Sequence, residues 1–432
     1  MKPSAKKSFL SAFEAAQELG VEVETIYAYV SRGILHSESS GSKDRSKRYR
    51  REEIERLLLQ REEKQNPGKT ARAALSFGQP VLESSISLIE ENAIYYRGLN
   101  ATDLSENSNF ESVAKILWDS ENSFSFEEEW PTLDKDSLQI LPVISNRPLI
   151  DLCRILLGVA EYEDTRALLK TPEALSQTGT KIIRLLSLFA SKSKRGAGSI
   201  AETLWFSWKE ISFGKKNSHF ISDSKKNRIL SNEDKKAIRL IDAALILSAD
   251  HELNASSFTT RCVASTDASL YQAVIGGLAA LSGKRHGLLT EKAIELIENA
   301  SARKKEERLF LTERLRMGEK IPGFGHPFYQ TGDPRGKKLL ELTERFFPKN
   351  KNLVFAKSLI QESISLLGDY PTIDMGLAVV IHTLGLPKGA GLALFAIGRC
   401  AGWIAHAMEQ YQSEQLIRPR ARYVGISPKK IV

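Results

Sequence analysis

The chain has 432 residues, 42% of them hydrophobic and 26% charged, with a formal net charge of +8. That length is too great for one small core and predicts two or three domains, and the composition fits an ordinary folded protein rather than a disordered one. Three widely spaced cysteines, Cys153, Cys262 and Cys400, argue against a disulfide framework and suit a reducing, cytoplasmic compartment. The opening Met1-Lys2-Pro3-Ser4-Ala5-Lys6-Lys7 has no apolar run behind it long enough for a signal peptide. The most apolar region, 376–407, is broken by His382, Pro387, Lys388 and Arg399, so it reads as buried helices and not as a membrane span. The excess positive charge permits anionic partners without choosing among nucleic acid, phosphorylated cofactors and acidic substrates.

Residues 1–66 read as a small basic module. Ser11 can cap a short helix over Ala12 to Leu19, with Glu14 closing the capping box and Gly20 ending it. A second helix is predicted from Val21 to Arg32, with Val23, Ile26, Tyr27 and Val30 on its apolar side and Gly33 at its end. Behind it, Ser42 to Arg51 carries six basic residues against one acidic, and Glu52 to Glu63 forms a charged third helix. Two short helices around a glycine turn, followed by a basic hairpin, resemble the winged helix-turn-helix of the MerR and excisionase type. The resemblance implies DNA as a partner of residues 1–66. Thr25, Tyr29 and Ser31 would face the groove, and Arg45, Lys47 and Arg48 the phosphates. The alternative is a solvated basic loop on a protein-binding module, and Glu22 and Glu24 would repel phosphate. Gln65 to Thr70 has linker composition.

From Ser84 to Tyr96 the alternation predicts short strands around the turn Glu90-Glu91-Asn92. From Phe110 the pattern is helical, with Val113, Ile116 and Leu117, and then Leu149, Leu152, Ile155 and Leu156, at helical spacing. Lys215 to Lys236 reads as an exposed lysine-rich loop.

The chemistry-bearing residues cluster in the C-terminal half. The apolar run Ile241 to Leu247 gives way to Ser248-Ala249-Asp250-His251-Glu252, four polar groups whose burial costs free energy unless they are satisfied. They form either an internally bonded turn or a ligand site holding His251. His286 lies between Gly283 and Gly287 at the end of a closely packed helix. Ile321 to Arg335 contains Gly323-Phe324-Gly325-His326-Pro327 and Asp333-Pro334-Arg335, a loop with a specified path. There the glycines would let backbone N–H groups point at an anion, and Arg335 offers a planar fork for a carboxylate. Such a connector with one histidine is also commonly only a connector. Asp374 opens a helix, by default as a carboxylate favoured by the helix dipole. Arg399 lies inside an apolar helix, where an unpaired charge is expensive, and Arg418-Pro419-Arg420 falls in the tail.

His286-Gly287, Pro322 to His326, Asp333-Pro334-Arg335, Asp374, Gly398 to His406 and Arg418-Pro419-Arg420 occur in the order and spacing of citrate synthases, and Ile94 to Gly98 with Val113 to Trp118 is similar to the start of that family. The resemblance covers about residues 80–425. It implies a mainly α fold, with large and small helical domains in residues 67–432 and the small one at about 287–380. It implies condensation of acetyl-CoA with oxaloacetate, with coenzyme A as co-substrate, no tightly bound cofactor, no metal, no membrane and a homodimer or higher homo-oligomer. Asp374 would be the general base, His286 would hydrogen-bond the thioester oxygen, and His326 would polarise the ketone. His251, Arg335 and Arg399 would hold carboxylates, with Arg418 arriving from a partner subunit, and Gly323, Phe324 and Gly325 would pass close to coenzyme A. Ser248, Leu288, Pro327 and Met375 depart from the family pattern. Two alternatives stand beside this reading: a 2-methylcitrate synthase using propionyl-CoA, and a metabolite-sensing DNA-binding regulator.

Overall fold

A computed structural model describes residues 9–31, 34–39, 47–51, 53–54, 57–58, 82–120, 125–133, 135–196, 198–213, 230–284, 286–303, 307–329, 331–421 and 423–426. The chain divides into two compact units, Met1–Glu83 and Ser84–Val432.

In the first unit, β1 (Phe9–Ser11) leads directly into α1 (Ala12–Leu19), followed by α2 (Val23–Ser31), β2 (Ser37–Ser39) and β3 (Lys47–Arg50). The predicted capping box forms: the Ser11 hydroxyl accepts from Glu14 N, and the Glu14 carboxylate accepts from Ser11 N at 2.8 Å. Gly20 closes α1 in the left-handed conformation at φ 64°. The strands form an antiparallel sheet in the order β1-β3-β2, so the β2–β3 hairpin is the wing. Leu10, Ala15, Ala16, Leu19, Ile26, Leu35, Tyr49 and Ile54 make a small core. Arg51, Glu53, Ile54, Leu57 and Leu58 are helical; the rest of the third helix and the linker at 65–70 lie outside the described residues.

The second unit opens with the predicted hairpin, β4 (Ser87–Glu90) and β5 (Ala93–Tyr96), extended by β6 (Leu99–Asn100). Glu91 and Asn92, at φ 48° and 62°, make the tight two-residue turn that joins them. Helices then follow almost without interruption: α3 (Ala101–Asn107), α4 (Phe110–Leu117), α5 (Lys135–Ile144), α6 (Leu149–Tyr162), α7 (Pro172–Ser191), α8 (Ile200–Phe213) and α9 (Asn232–Ser248). Residues 215–229 of the predicted lysine-rich loop lie outside the described residues, and its last five, Asn232 to Lys236, are helical at the start of α9. On α6 the buried face is Ile150, Leu152, Cys153, Leu156 and Leu157, while Ile155, expected to face inward, is 41% exposed. The last group is α10 (Ala255–Ala264), α11 (Leu270–Leu281), α12 (Leu288–Ala302), α13 (Glu307–Arg316), α14 (Pro334–Phe346), α15 (Lys351–Leu367), α16 (Ile373–Leu384) and α17 (Ala390–Ser413).

Helix α17 is the axis of the unit. It is long and apolar enough to cross a membrane, but its apolar stretch is wholly buried within the protein, packed against α7, α9, α10 and α11. Two of its glycines set the spacing to α9. A Cβ on Gly398 would come within 2.6 Å of Leu245 O, and one on Gly402 within 2.4 Å of Ala249 O. That close approach seats Arg399 beside the C-terminal end of α9.

Candidate active site

The turn after α9 is held from three sides. Tyr96 on β5 donates its hydroxyl to Ile246 O at 3.0 Å and accepts from Asp250 N at 3.3 Å. Ser87 on β4 donates to Asp250 Oδ2 at 2.5 Å, and Asp250 Oδ1 lies 3.3 Å from His406 Nε2 on α17, both residues being fully buried. The polar cluster Ser248 to Glu252 is thus an internally bonded turn, and His251 is buried within it. His251 Nε2 lies 3.0 Å from the Tyr329 hydroxyl, and its ring centroid is 5.1 Å from that of His326. Burial, then the charges of Arg335 and Arg399, hold the His251 imidazole well below its usual range.

The Gly/Pro-rich loop is tied to the start of α16. Phe324 bridges to Pro371, Gly325 N donates to Tyr370 O at 3.0 Å, and Thr372 N donates to Gly323 O at 2.9 Å. Gly323 and Gly325 adopt φ values of 86° and 75°, and a Cβ on Gly323 would press within 3.0 Å of Met375. This corrects one expectation: the Gly325 N–H is spent on a carbonyl and does not offer itself to an anion. The glycines serve the loop path and its packing against α16. His326 Nδ1 accepts from Phe328 N at 3.3 Å, which leaves the ring proton on Nε2. Burial and the Arg335 charge push the His326 imidazole down to about 4.

Asp333 caps α14 and, with Pro334 in its first turn, follows the helix-start pattern of a capping acid and proline. Its carboxylate grips Arg335 in a bidentate pair, Nε to Oδ1 at 2.9 Å and Nη2 to Oδ2 at 2.8 Å, and also accepts from Ile373 N at 2.9 Å. Both side chains are buried. One carboxylate therefore fixes the arginine and the first turn of α16, where Asp374 stands. Sequence reasoning assigned Asp333 no role, although the Asp-Pro pattern marks a cap.

Arg399 differs. Its Nε donates to Ser248 O at 2.8 Å and its guanidinium lies 4.9 Å from the Phe395 ring centroid, but no carboxylate pairs with it among the described residues. Burial and then repulsion from Arg335, set against attraction to Asp250, push it down to about 10.

Its charge acts on Asp374, His251 and His286 alike, so the structure brings these predicted residues together. His286 Nε2 lies 2.8 Å from Ser256 Oγ, which also accepts from Trp403 Nε1 at 3.1 Å. Burial, then the Arg399 charge, push His286 down to about 4. Asp374 Oδ1 accepts from Thr290 Oγ1 at 2.6 Å, and burial raises its carboxyl against the pull of that bond and of Arg335. Ser256, Thr290 and Tyr329 carried no signal beyond their residue type; only tertiary proximity identifies them. Arg418 is exposed in the extended tail and is not brought to this site within one chain.

In the first unit, Lys47 and Arg48 are exposed on β3 and Thr25 is half-buried. Tyr29, expected to point outward, packs against the small core, whereas Tyr27, expected inside, is 51% exposed. Arg45 and the Ser31 side chain lie outside the described residues.

Comparisons agree with both units. The family described as Citrate synthase, C-terminal domain, matches residues 76–420, and the Helix-turn-helix domain family matches residues 9–62. The chain is 30% identical over 373 residues to Citrate synthase 2 of Bacillus subtilis, covering 81% of this chain and 95% of that protein. It is 28% identical over 387 residues to a 2-methylcitrate synthase of Shewanella oneidensis, covering 82% and 95%. The crystal structure of citrate synthase from Thermotoga maritima superposes with a TM-score of 0.63 at 28% identity, over 82% of this chain and 96% of that one. The chain belongs to the citrate synthase family, with a helix-turn-helix domain preceding the synthase body.

Proposed function

We propose that the body of this chain condenses acetyl-CoA with oxaloacetate and hydrolyses the product to citrate and coenzyme A. Asp374 takes a proton from the acetyl methyl while His286 donates a hydrogen bond to the thioester oxygen, giving a hydrogen-bonded enolate. The enolate carbon attacks the ketone carbon of oxaloacetate, and His326 Nε2–H stabilises the charge growing on the ketone oxygen. Water then cleaves the thioester and releases the thiol. A thioester methyl is too weak an acid for a carboxylate alone, so the oxygen must be stabilised as the proton leaves. Neutral imidazoles suit that task as hydrogen-bond donors. Ser256 Oγ donates its one proton to Asn254 Oδ1 at 2.7 Å, so His286 presents an Nδ1 proton to the thioester oxygen only when that hydroxyl turns to His286 Nε2.

The observation that supports this reading most is Arg399, buried among the catalytic candidates without a carboxylate partner in the described residues. A buried, unneutralised guanidinium is costly unless an anion arrives, and a dicarboxylate supplies one. His251 and Arg335 would complete its seat, and Arg418 would reach it from a second copy in a homodimer. Gly323, Phe324 and Gly325 would border coenzyme A, and residues 287–380 would close over both substrates. Three free cysteines fit a cytoplasmic setting. The test is thiol release from acetyl-CoA with oxaloacetate. Release well above an Asp374→Ala control is expected, and release no greater than that control overturns the reading. Similarity to a 2-methylcitrate synthase favours propionyl-CoA as the second donor to assay.

For the first unit, we infer that it contacts duplex DNA through α2 and the β2–β3 wing. The exposed Lys47 and Arg48 support phosphate contact, and Tyr27 replaces Tyr29 as the aromatic facing outward. Duplex binding that does not weaken with added salt would count against this arrangement.

A further inference from the structure

Asp374 stands in the first turn of α16, where a carboxylate has several rotamers and several backbone donors within reach. One contact selects among them. Oδ1 accepts from Thr290 Oγ1 at 2.6 Å, and Thr290 is fully buried. Among the described residues this is the only side-chain hydrogen bond of either group. Thr290 lies four residues after His286, so one turn of chain presents both the imidazole and the hydroxyl. The opposite side of Thr290 is packed: its Cγ2 methyl meets the start of α17, where a Cβ on Gly391 would come within 3.0 Å of it. A β-branched side chain already has few χ1 choices in a helix, and this packing leaves the hydroxyl aimed at α16.

We propose that Thr290 is a positioning residue for the condensation: it occupies Oδ1 of Asp374 and holds the carboxylate in one rotamer, leaving Oδ2 as the oxygen that takes the acyl proton. This rests on the synthase reading above. The proton passes from the acyl methyl to Oδ2, and Thr290 keeps its own proton throughout. The charged groups acting on Asp374 are Arg335 and Asp333 at the start of α14 and Arg399 on α17. Burial raises the carboxyl, and the Thr290 bond and the two arginines lower it. Removing the hydroxyl removes one lowering influence, so the carboxylate would then require a higher pH to ionise.

Thr290→Val keeps the branched shape and deletes the donor; Thr290→Ser keeps the donor and deletes the methyl. For the valine variant, kcat for thiol release is expected to fall roughly 10- to 100-fold, as for loss of a hydrogen bond to a charged group. The KM for oxaloacetate should stay within about twofold, and the acid limb of kcat should move to higher pH. The serine variant should recover most of kcat and return the limb to its original place. A valine variant with unchanged kcat and limb overturns the proposal, as does a loss that serine does not restore. A turnover-independent reading follows the Asp374 carboxyl carbon by NMR across pH, assigned by its disappearance in Asp374→Ala. Its midpoint should rise in Thr290→Val, and an unchanged midpoint overturns the role of Thr290. A raised midpoint in a protein without thiol release supports the contact and overturns the synthase reading alone.

Discussion

The site contains two buried arginines in opposite circumstances. Arg335 is built with its counter-charge: Asp333 grips it through two hydrogen bonds, and its guanidinium is held more firmly protonated than usual. Arg399 has a backbone carbonyl and an aromatic face but no carboxylate among the described residues, and its guanidinium is pushed down to about 10. The first is a structural pair that also organises the start of α16. The second is a buried charge with no carboxylate bonded to it among the described residues, attracted to Asp250 and Asp374 without a direct ion pair. Pairing thus divides the two arginines: one is fixed by a carboxylate of the fold, and the other is the one that the proposed function assigns to a substrate carboxylate.

The largest effect should come from breaking the pair. Arg335→Ala strands a buried Asp333 and should cost about 3–5 kcal/mol of stability, measured by denaturant unfolding. Asp333→Leu with Arg335→Met should recover much of that loss while leaving the enzyme impaired. Arg399→Ala should reverse the pattern, with stability changed by about 1 kcal/mol or less and the KM for oxaloacetate raised roughly 10- to 100-fold. If Arg399→Ala destabilises the fold as much as Arg335→Ala, the contrast between the two is wrong.

Titration sharpens the comparison. Arg399 lowers His286, and Arg335 lowers His326, each after burial. Arg399→Ala should therefore raise the midpoint of His286 and leave His326 nearly in place, read from imidazole NMR shifts. Both rings titrate near 4 when folded, against about 6.5 in an unfolded chain. Between those values the unfolded state binds protons that the folded state refuses, so these two rings make stability fall as pH drops through that window and level off below it. The smallest effect lies in the other unit. Lys47→Ala with Arg48→Ala should reduce the salt slope of duplex binding by about 2, measured by anisotropy across salt concentrations.

Much of this was legible along the chain. The Ser11–Glu14 capping box and the Glu91-Asn92 turn are local devices, formed by residues within four positions of one another, so a linear reading reaches them; the loop expected to run to Arg335 instead ends at Asp333, where α14 begins. The candidate site residues were legible as types in a family order. Their meeting was not: Asp374 and Thr290 are 84 residues apart, and Arg399 and Ser248 are 151 apart. The outward faces of short helices were also ambiguous. On α2, nine residues long, periodicity placed Tyr27 inside and Tyr29 outside, and packing against the first unit's core reversed them.

By itself, then, the sequence determined the helical body, the appended helix-turn-helix and the set of acids, imidazoles and guanidiniums available for chemistry. Tertiary structure alone decided the surroundings of those groups: that Asp333 neutralises Arg335, that Arg399 has no carboxylate bonded to it among the described residues, that the Gly325 N–H is taken by Tyr370, and that Thr290 is bonded to Asp374. The physical reason is that helix periods and caps depend on neighbours a few residues away. The state of a buried charge depends on which distant groups replace the water it lost.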